Sequence, residues 1–427
     1  MTSSSGSTAA GVRALLCAIM AVALAAAGCA PADGGRRGTI VFADGRDTSQ
    51  GAQIKALVNR WNADHPGQYV RMVELPESTD DHRAQLAARA QDAVAAPSAA
   101  NGCIDVIALD VVRTAEFAHW GYIEPLDPDE FDGKEFLPTT LETGRYRGRQ
   151  YGIPLRADVG LLYYRKDVLD AEGMRPPQSW EELRRQAMTV APRHGLAGYV
   201  TQLDRYEGFT VNALEAIWAA GGNVVNDKGE AVANPAEAVR GFQRIPQGLR
   251  EGWILADSVD YNEEGARTAF QDGRALFMRN WTYAYRLLGA QGSPVLGKFG
   301  VAPLPWPSAL GGWNLALSRC SRNRDTARAF IRYLTSESSE RALFTGAGFA
   351  PARRALYEDP TLVRAYPHLP QIRRTVERAR TRPVTPDYDW LSNTVQEHLY
   401  PTLTDPSAVA HRMSDLVGEL RGPTSAG

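Results

Sequence analysis

Acidic and aromatic side chains stand where apolar runs end. Asp110 directly follows the run at 104–109, and Asp44 opens the polar loop that continues through Arg46 and Asp47 after the run at 39–43. In a parallel α/β sheet, ligands bind beyond the carboxyl ends of the strands, so carboxylates placed there face a crevice. The rule points to the loop 44–47 as a whole, with Asp44 the contact expected among its residues. Trp281 follows Arg279 and Asn280 at the end of another apolar run, and Trp313 follows two glycines. Glycine lets a ligand approach the backbone, so Gly312 can offer its peptide group to one. Acceptors in the plane of a ring, with an indole beneath it, suit a ligand that has polar edges and an apolar face. Each residue also has a plainer use. Asp110 would cap the next helix well, and most tryptophans, including Trp61, Trp180 and Trp253, serve packing.

Bond-making chemistry has less support. A glycoside hydrolase needs two carboxylates roughly 5 to 10 Å apart, and position along the chain leaves Asp110 and Asp158 open to that use. No Gly-x-Ser-x-Gly, His-Glu-x-x-His or Walker loop occurs, and the seven histidines are scattered without metal-ligand spacing. The expectation is therefore a binding protein with no enzyme activity, no cofactor and no metal. A net charge of −2 draws the chain to no nucleic acid.

These residues need a scaffold, and the periodicity supplies one. Apolar runs at 39–43 and 104–109 and a strand-like segment at 69–75 alternate with helical patterns at 54–61, 80–95 and 114–120. Strand and helix in alternation predict a parallel α/β sheet. A second α/β region follows residue 151, with a strand at 161–164 and a helix begun by Ser179 and Glu182 in a capping box. Helices are expected at 208–220, 235–251, 265–272 and 325–336, a strand at 313–318, and a mostly helical tail from 360. With 427 residues, 44% of them hydrophobic, the chain can fill two cores.

The N-terminus reads as an export signal. Arg13 precedes an apolar run at 14–27, too short to span a bilayer, which needs about 20 residues. Small residues and Cys29 follow. A Gly/Arg/Pro-rich tether would then lead to the folded body.

Several segments together resemble the family 1 extracellular solute-binding proteins, trehalose- and maltose-binding lipoproteins in particular. They are IDVIALDVVRTAEFAHWGYIEPL at 104–126, YGIPLRADVGLLYYRKDVL at 151–169, SWEEL at 179–183, Gly221-Gly222, GARTAFQDGRALFMRNW at 265–281, GGWNLALS at 311–318, then Pro351-Ala352-Arg353 and Arg382-Pro383. Ala26-Ala27-Gly28-Cys29 is similar to a lipobox, with Leu24 five residues before the cysteine rather than the usual three.

The resemblance implies an α/β protein of two lobes joined by hinge segments, with the ligand in the cleft between them. It divides the chain into a signal at 1–28, a lipid-anchored tether at 29–37, lobe one at 38–152 plus 312–352, and lobe two at 153–311 plus 353–425. It implies that Asp110 and Asp158 accept hydrogen bonds from sugar hydroxyls, that Arg83 and Arg382 donate to sugar oxygens, and that Glu207 reaches a second ring or only charges a helix N-terminus. It also places Cys103 and Cys320 at the far ends of neighbouring antiparallel strands, where a disulfide would join them. The function implied is capture of a trehalose- or maltose-like disaccharide for an ABC permease by a monomer anchored through Cys29 on the outer face of the cytoplasmic membrane. A sugar-sensing accessory is the alternative, and a glycoside hydrolase the weaker one.

Overall fold

An apolar run such as Val106–Leu109 becomes a strand covered on both faces, whereas Val70–Leu75 keeps Arg71 and Glu74 exposed. The computed structural model describes Met1 and residues 37–46, 52–76, 78–95, 102–226, 230–232 and 235–422. The expected signal, Cys29, the tether through Arg36, and Asp47 lie outside these residues. In chain order the strands that build the site are β1 (Ile40–Gly45), β2 (Val70–Leu75), β3 (Val106–Asp110), β4 (Gly152–Val159), β5 (Leu161–Arg165), β6 (Ala197–Val200), β7 (Ala275–Asn280), β8 (Phe299–Pro303), β9 (Ala309–Leu317) and β10 (Arg380–Thr381).

They form two sheets. In the first, β1 lies between β2 and β3, all parallel, and β9 runs antiparallel to both β3 and β4. The second has the order β8-β5-β7-β6. Only Gly160 separates β4 from β5, so the chain passes from one sheet to the other there. Alternate residues of β3 bury on opposite faces. Val106 and Ala108 pack with Trp61 and Phe330, while Ile107 and Leu109 pack with Leu86 and Phe117.

Helices α1 (Gln53–Asp64), α2 (Thr79–Ala95) and α3 (Thr114–His119) cover the first sheet, as the alternation of patterns predicts. The later helices of interest are α4 (Trp180–Thr189), α5 (Glu207–Trp218), α6 (Glu263–Gln271), α7 (Arg324–Leu334) and α8 (Tyr388–Leu399). Ser179 caps α4 by accepting a hydrogen bond from Glu182 N at 3.1 Å. The helix expected over 235–251 is instead two, Ala236–Phe242 and Arg244–Arg250. Pro246 has no N–H for the carbonyl of Phe242, so the ladder breaks at that turn. Strand β9 starts four residues earlier than its expected Trp313, which puts Gly311 and Gly312 inside the strand.

Cys103 and Cys320 form a disulfide with Cα atoms 5.8 Å apart. It joins the segment before β3 to the turn after β9. Among the described residues, no helix is long and apolar enough to cross a membrane.

Candidate functional site

Strand ends from both sheets meet at a cleft of about 540 Å³, lined by Asp44, Asp110, Asp158, Glu207, Trp281, Gly312, Trp313 and Arg382, among others. Pairing registers explain the gathering. Trp313 lies opposite Asp110 on β3 and opposite Arg156 on β4, and Gly311 lies opposite Asp158. The register shifts between Trp313 and Asn314, and Gly312 has φ +122°. A Cβ on Gly312 would stand 2.4 Å from the Arg156 carbonyl oxygen, so only glycine fits this bend.

Two indoles supply the apolar surfaces. Trp281 is half-buried, with the Arg279 guanidinium 3.9 Å above its ring and its Nε1 donating to Glu263 at 3.1 Å. Arg279 is fully buried and held by Glu215, Nε to Oε2 at 3.1 Å and Nη2 to Oε1 at 2.8 Å. Glu215 also accepts from Ala309 N at 2.9 Å, tying this support to β9. Trp313 carries the Arg156 guanidinium at 5.2 Å and the His82 ring at 4.9 Å.

Asp158 sits between the sheets. Its Oδ1 accepts from Val159 N (3.0 Å), Thr282 N (2.9 Å) and the Thr282 hydroxyl (2.7 Å). That loads one oxygen of a residue that lines the cleft. Burial raises its pKa from 3.8 to about 6 in spite of these bonds. Asp44 is buried, with Arg156 Nη1 at 3.8 Å from Oδ2.

Asp110 stands at the end of β3, ahead of a short turn at Val111–Arg113 rather than of α3 itself. It caps the turn after β3 by accepting from Val112 N at 3.2 Å, and it faces the cleft. Its Oδ1 also accepts from Arg382 Nη2 at 2.9 Å. Arg382 is only 4% exposed, and its Nη1 donates to Glu207 at 2.6 Å. Burial works against this guanidinium, but the charges of Asp110 and Glu207 outweigh it and raise its pKa.

Glu207 lines the cleft and stands at the N-terminus of α5, the second of the two roles implied for it. Besides Arg382 it accepts from the Tyr388 hydroxyl (2.7 Å) and the Ser392 hydroxyl (2.6 Å). Tyr388 and Ser392 are one helical turn apart on α8, so they converge on one carboxylate. Glu207 therefore positions Arg382, with Oε1 accepting two of these bonds and Oε2 one.

Arg83 is the residue that the cleft does not take. Its guanidinium pairs with Glu116 and, at 3.2 Å, with Asp389, beside a separate surface pocket. Successive helical residues point about 100° apart, so it is the preceding residue, His82, that faces the cleft. His82 is 3% exposed. Its burial was legible, because Leu86 and Ala87 continue the same face of α2. Asp80 also lines the cleft. Burial and then the charge of Glu207 raise its pKa from 3.8 to about 6.

Carboxylates outnumber guanidiniums around the cleft, and no metal-holding cluster occurs among the described residues. Such a lining opposes an anion and offers acceptors to a ligand rich in hydrogen-bond donors.

The family profile of bacterial extracellular solute-binding proteins matches residues 56–371. A probable ABC transporter-binding protein of Deinococcus radiodurans is 32% identical over 388 residues, 86% of this chain and 89% of that protein. Among solved structures, maltose-bound T. maritima MalE3 is 32% identical with a TM-score of 0.82, covering 90% of this chain and 99% of its own. The GacH receptor of Streptomyces glaucescens GLA.O, solved unliganded and with acarbose, is 26% identical with a TM-score of 0.77, covering 90% and 98%.

Proposed function

The chain belongs to the bacterial extracellular solute-binding proteins, a two-lobed, non-enzymatic, extracytoplasmic family, and on that premise we propose that it captures a trehalose- or maltose-like disaccharide and delivers it to an ABC permease. The observation that carries this reading is the pairing of two half-buried indoles with carboxylates in one cleft. Trp281 and Trp313 offer faces to the C–H surface of a pyranose, and Asp158, Asp110 and Asp44 offer acceptors to its hydroxyls. The likeness to maltose-bound MalE3 supports the same ligand class.

In this reading the lobes divide at 38–152 plus 312–352 and 153–311 plus 353–425, and closing them is a hinge motion. Cys29 carries the lipid anchor, and the protein acts as a monomer. Calorimetry with trehalose, maltose and maltotriose tests the function. One of these sugars should bind at about micromolar Kd, near −8 kcal/mol, and emerge chemically unchanged. Failure of all three to bind, or release of glucose, rejects the proposal. Reconstitution with the permease separates delivery from sensing, since a sensor would bind sugar without stimulating ATP hydrolysis.

A further inference from the structure

His82 has two ring nitrogens in different circumstances. Its Nε2 stands 3.2 Å from the Ala108 carbonyl oxygen, which can only accept, so Nε2 carries the proton. The other nitrogen, Nδ1, is buried and has no hydrogen-bond partner among the described residues. Burial pulls the ring's pKa from 6.5 down to about 4, so at neutral pH it is uncharged and Nδ1 is an acceptor. A buried acceptor without a donor costs free energy that pairing recovers.

A donor fork stands close by. The Arg156 guanidinium makes no side-chain hydrogen bond among the described residues. It lies near the rings of Trp313 and Phe349, at 5.2 and 4.4 Å, and reaches the Asp44 carboxylate only at 3.8 Å. Cation–π contact of this kind does not consume N–H groups, which stay available to donate. An acceptor and a donor fork thus flank one indole.

We propose that His82 Nδ1 contacts the ligand, forming with the Arg156 guanidinium and the Asp44 carboxylate a subsite for a neutral, hydroxyl-bearing ring stacked on Trp313. Nδ1 accepts from one hydroxyl, and Arg156 leaves its loose contact with Asp44 to donate to another oxygen of the same ring. This subsite rests on the sugar-binding reading and adds a residue that selects for a hydroxyl donor at one position.

Two substitutions at His82 separate a ligand role from a structural one. His82→Gln keeps a donor near Nε2 for Ala108 and loses the acceptor. His82→Asn keeps an acceptor near Nδ1 and loses the donor to Ala108. Calorimetry with maltose and trehalose should show His82→Gln at least about tenfold weaker, with its thermal midpoint retained. His82→Asn should bring affinity back to within about threefold of wild type while lowering the midpoint. Nitrogen NMR of the histidine rings should show Nδ1 of His82 unprotonated and shifting when the bound sugar is added. Unchanged affinity in His82→Gln, equal weakening in both variants, or a protonated Nδ1 overturns the subsite while sugar binding by the wild type stands. If the wild type binds neither sugar, the functional reading fails and the subsite fails with it.

Discussion

Asp158 carries charge where burial resists it, and replacing it with asparagine should separate stability from binding. Its pKa lies at about 6 in the folded protein, against 3.8 for the ordinary carboxyl. A carboxyl whose folded value is raised holds its proton more tightly when folded. Its contribution is therefore fully present below about pH 4 and is lost as pH rises through about 6. The gap between the two values corresponds to about 3 kcal/mol once the group is ionised. Asparagine keeps an oxygen for Thr282 and Val159 but has no proton to lose. Relative to wild type, Asp158→Asn should gain about 3 kcal/mol between about pH 4 and about pH 7. With about 2.1 cal/mol/K of unfolding entropy per residue, that is a rise of about 3–4 °C in the thermal midpoint. Affinity for the bound disaccharide should fall about tenfold or more near neutral pH, because a charge-assisted bond to a hydroxyl is lost. Urea unfolding followed by circular dichroism at the two pH values measures the first effect, and calorimetry the second. Parallel stability curves for the two proteins would refute the electrostatic argument. A stabilised variant with unchanged affinity would refute the binding role.

Arg382→Met should cost about 3–5 kcal/mol of stability, since it leaves Asp110 and Glu207 without the cation between them. A loss under about 1 kcal/mol in urea unfolding would show that the cluster relaxes or hydrates freely. Trp281→Ala should weaken disaccharide binding by about 2 kcal/mol, roughly thirtyfold. Unchanged calorimetric affinity would remove this indole from the site. Replacing Cys103 and Cys320 together by serine should lower stability by up to about 5 kcal/mol, because the crosslink closes a loop of 217 residues in the unfolded chain. A thermal midpoint insensitive both to the double substitution and to reductant would contradict that loop-entropy account.

Much of the scaffold was legible from local pattern. The runs at 39–43, 69–75 and 104–109 are β-rich and bounded by turn residues, and they became β1, β2 and β3. Pairing was less legible. Nothing in the spacing of Gly311, Gly312 and Trp313 announces a register shift, because a bulge depends on what the partner strands present. The misplacement of Arg83 has a similar cause. An arginine looks like the functional member of the pair His82-Arg83, yet the face of α2 is set by Leu86 and Ala87, which bury the histidine instead. Arg279 was noticed only as a neighbour of Trp281. Its partner Glu215 lies 64 residues away, and local pattern cannot show that a buried pair backs the indole.

The sequence by itself determined the strands and helices of the α/β scaffold, the acids at strand ends, and the tryptophans beside them. Those features follow from periodicity and from the chain direction of a parallel sheet, both of which are local. Tertiary structure alone decided how each side chain is used. Asp110 and Glu207 share Arg382 across 272 and 175 residues of chain, and Glu207 thereby becomes a support for that guanidinium. Asp158, in the cleft lining, spends one oxygen on Thr282, 124 residues further along the chain. Hydrogen-bond capacity is finite, and whether a polar group serves the fold or the ligand depends on neighbours that only the folded chain brings into reach.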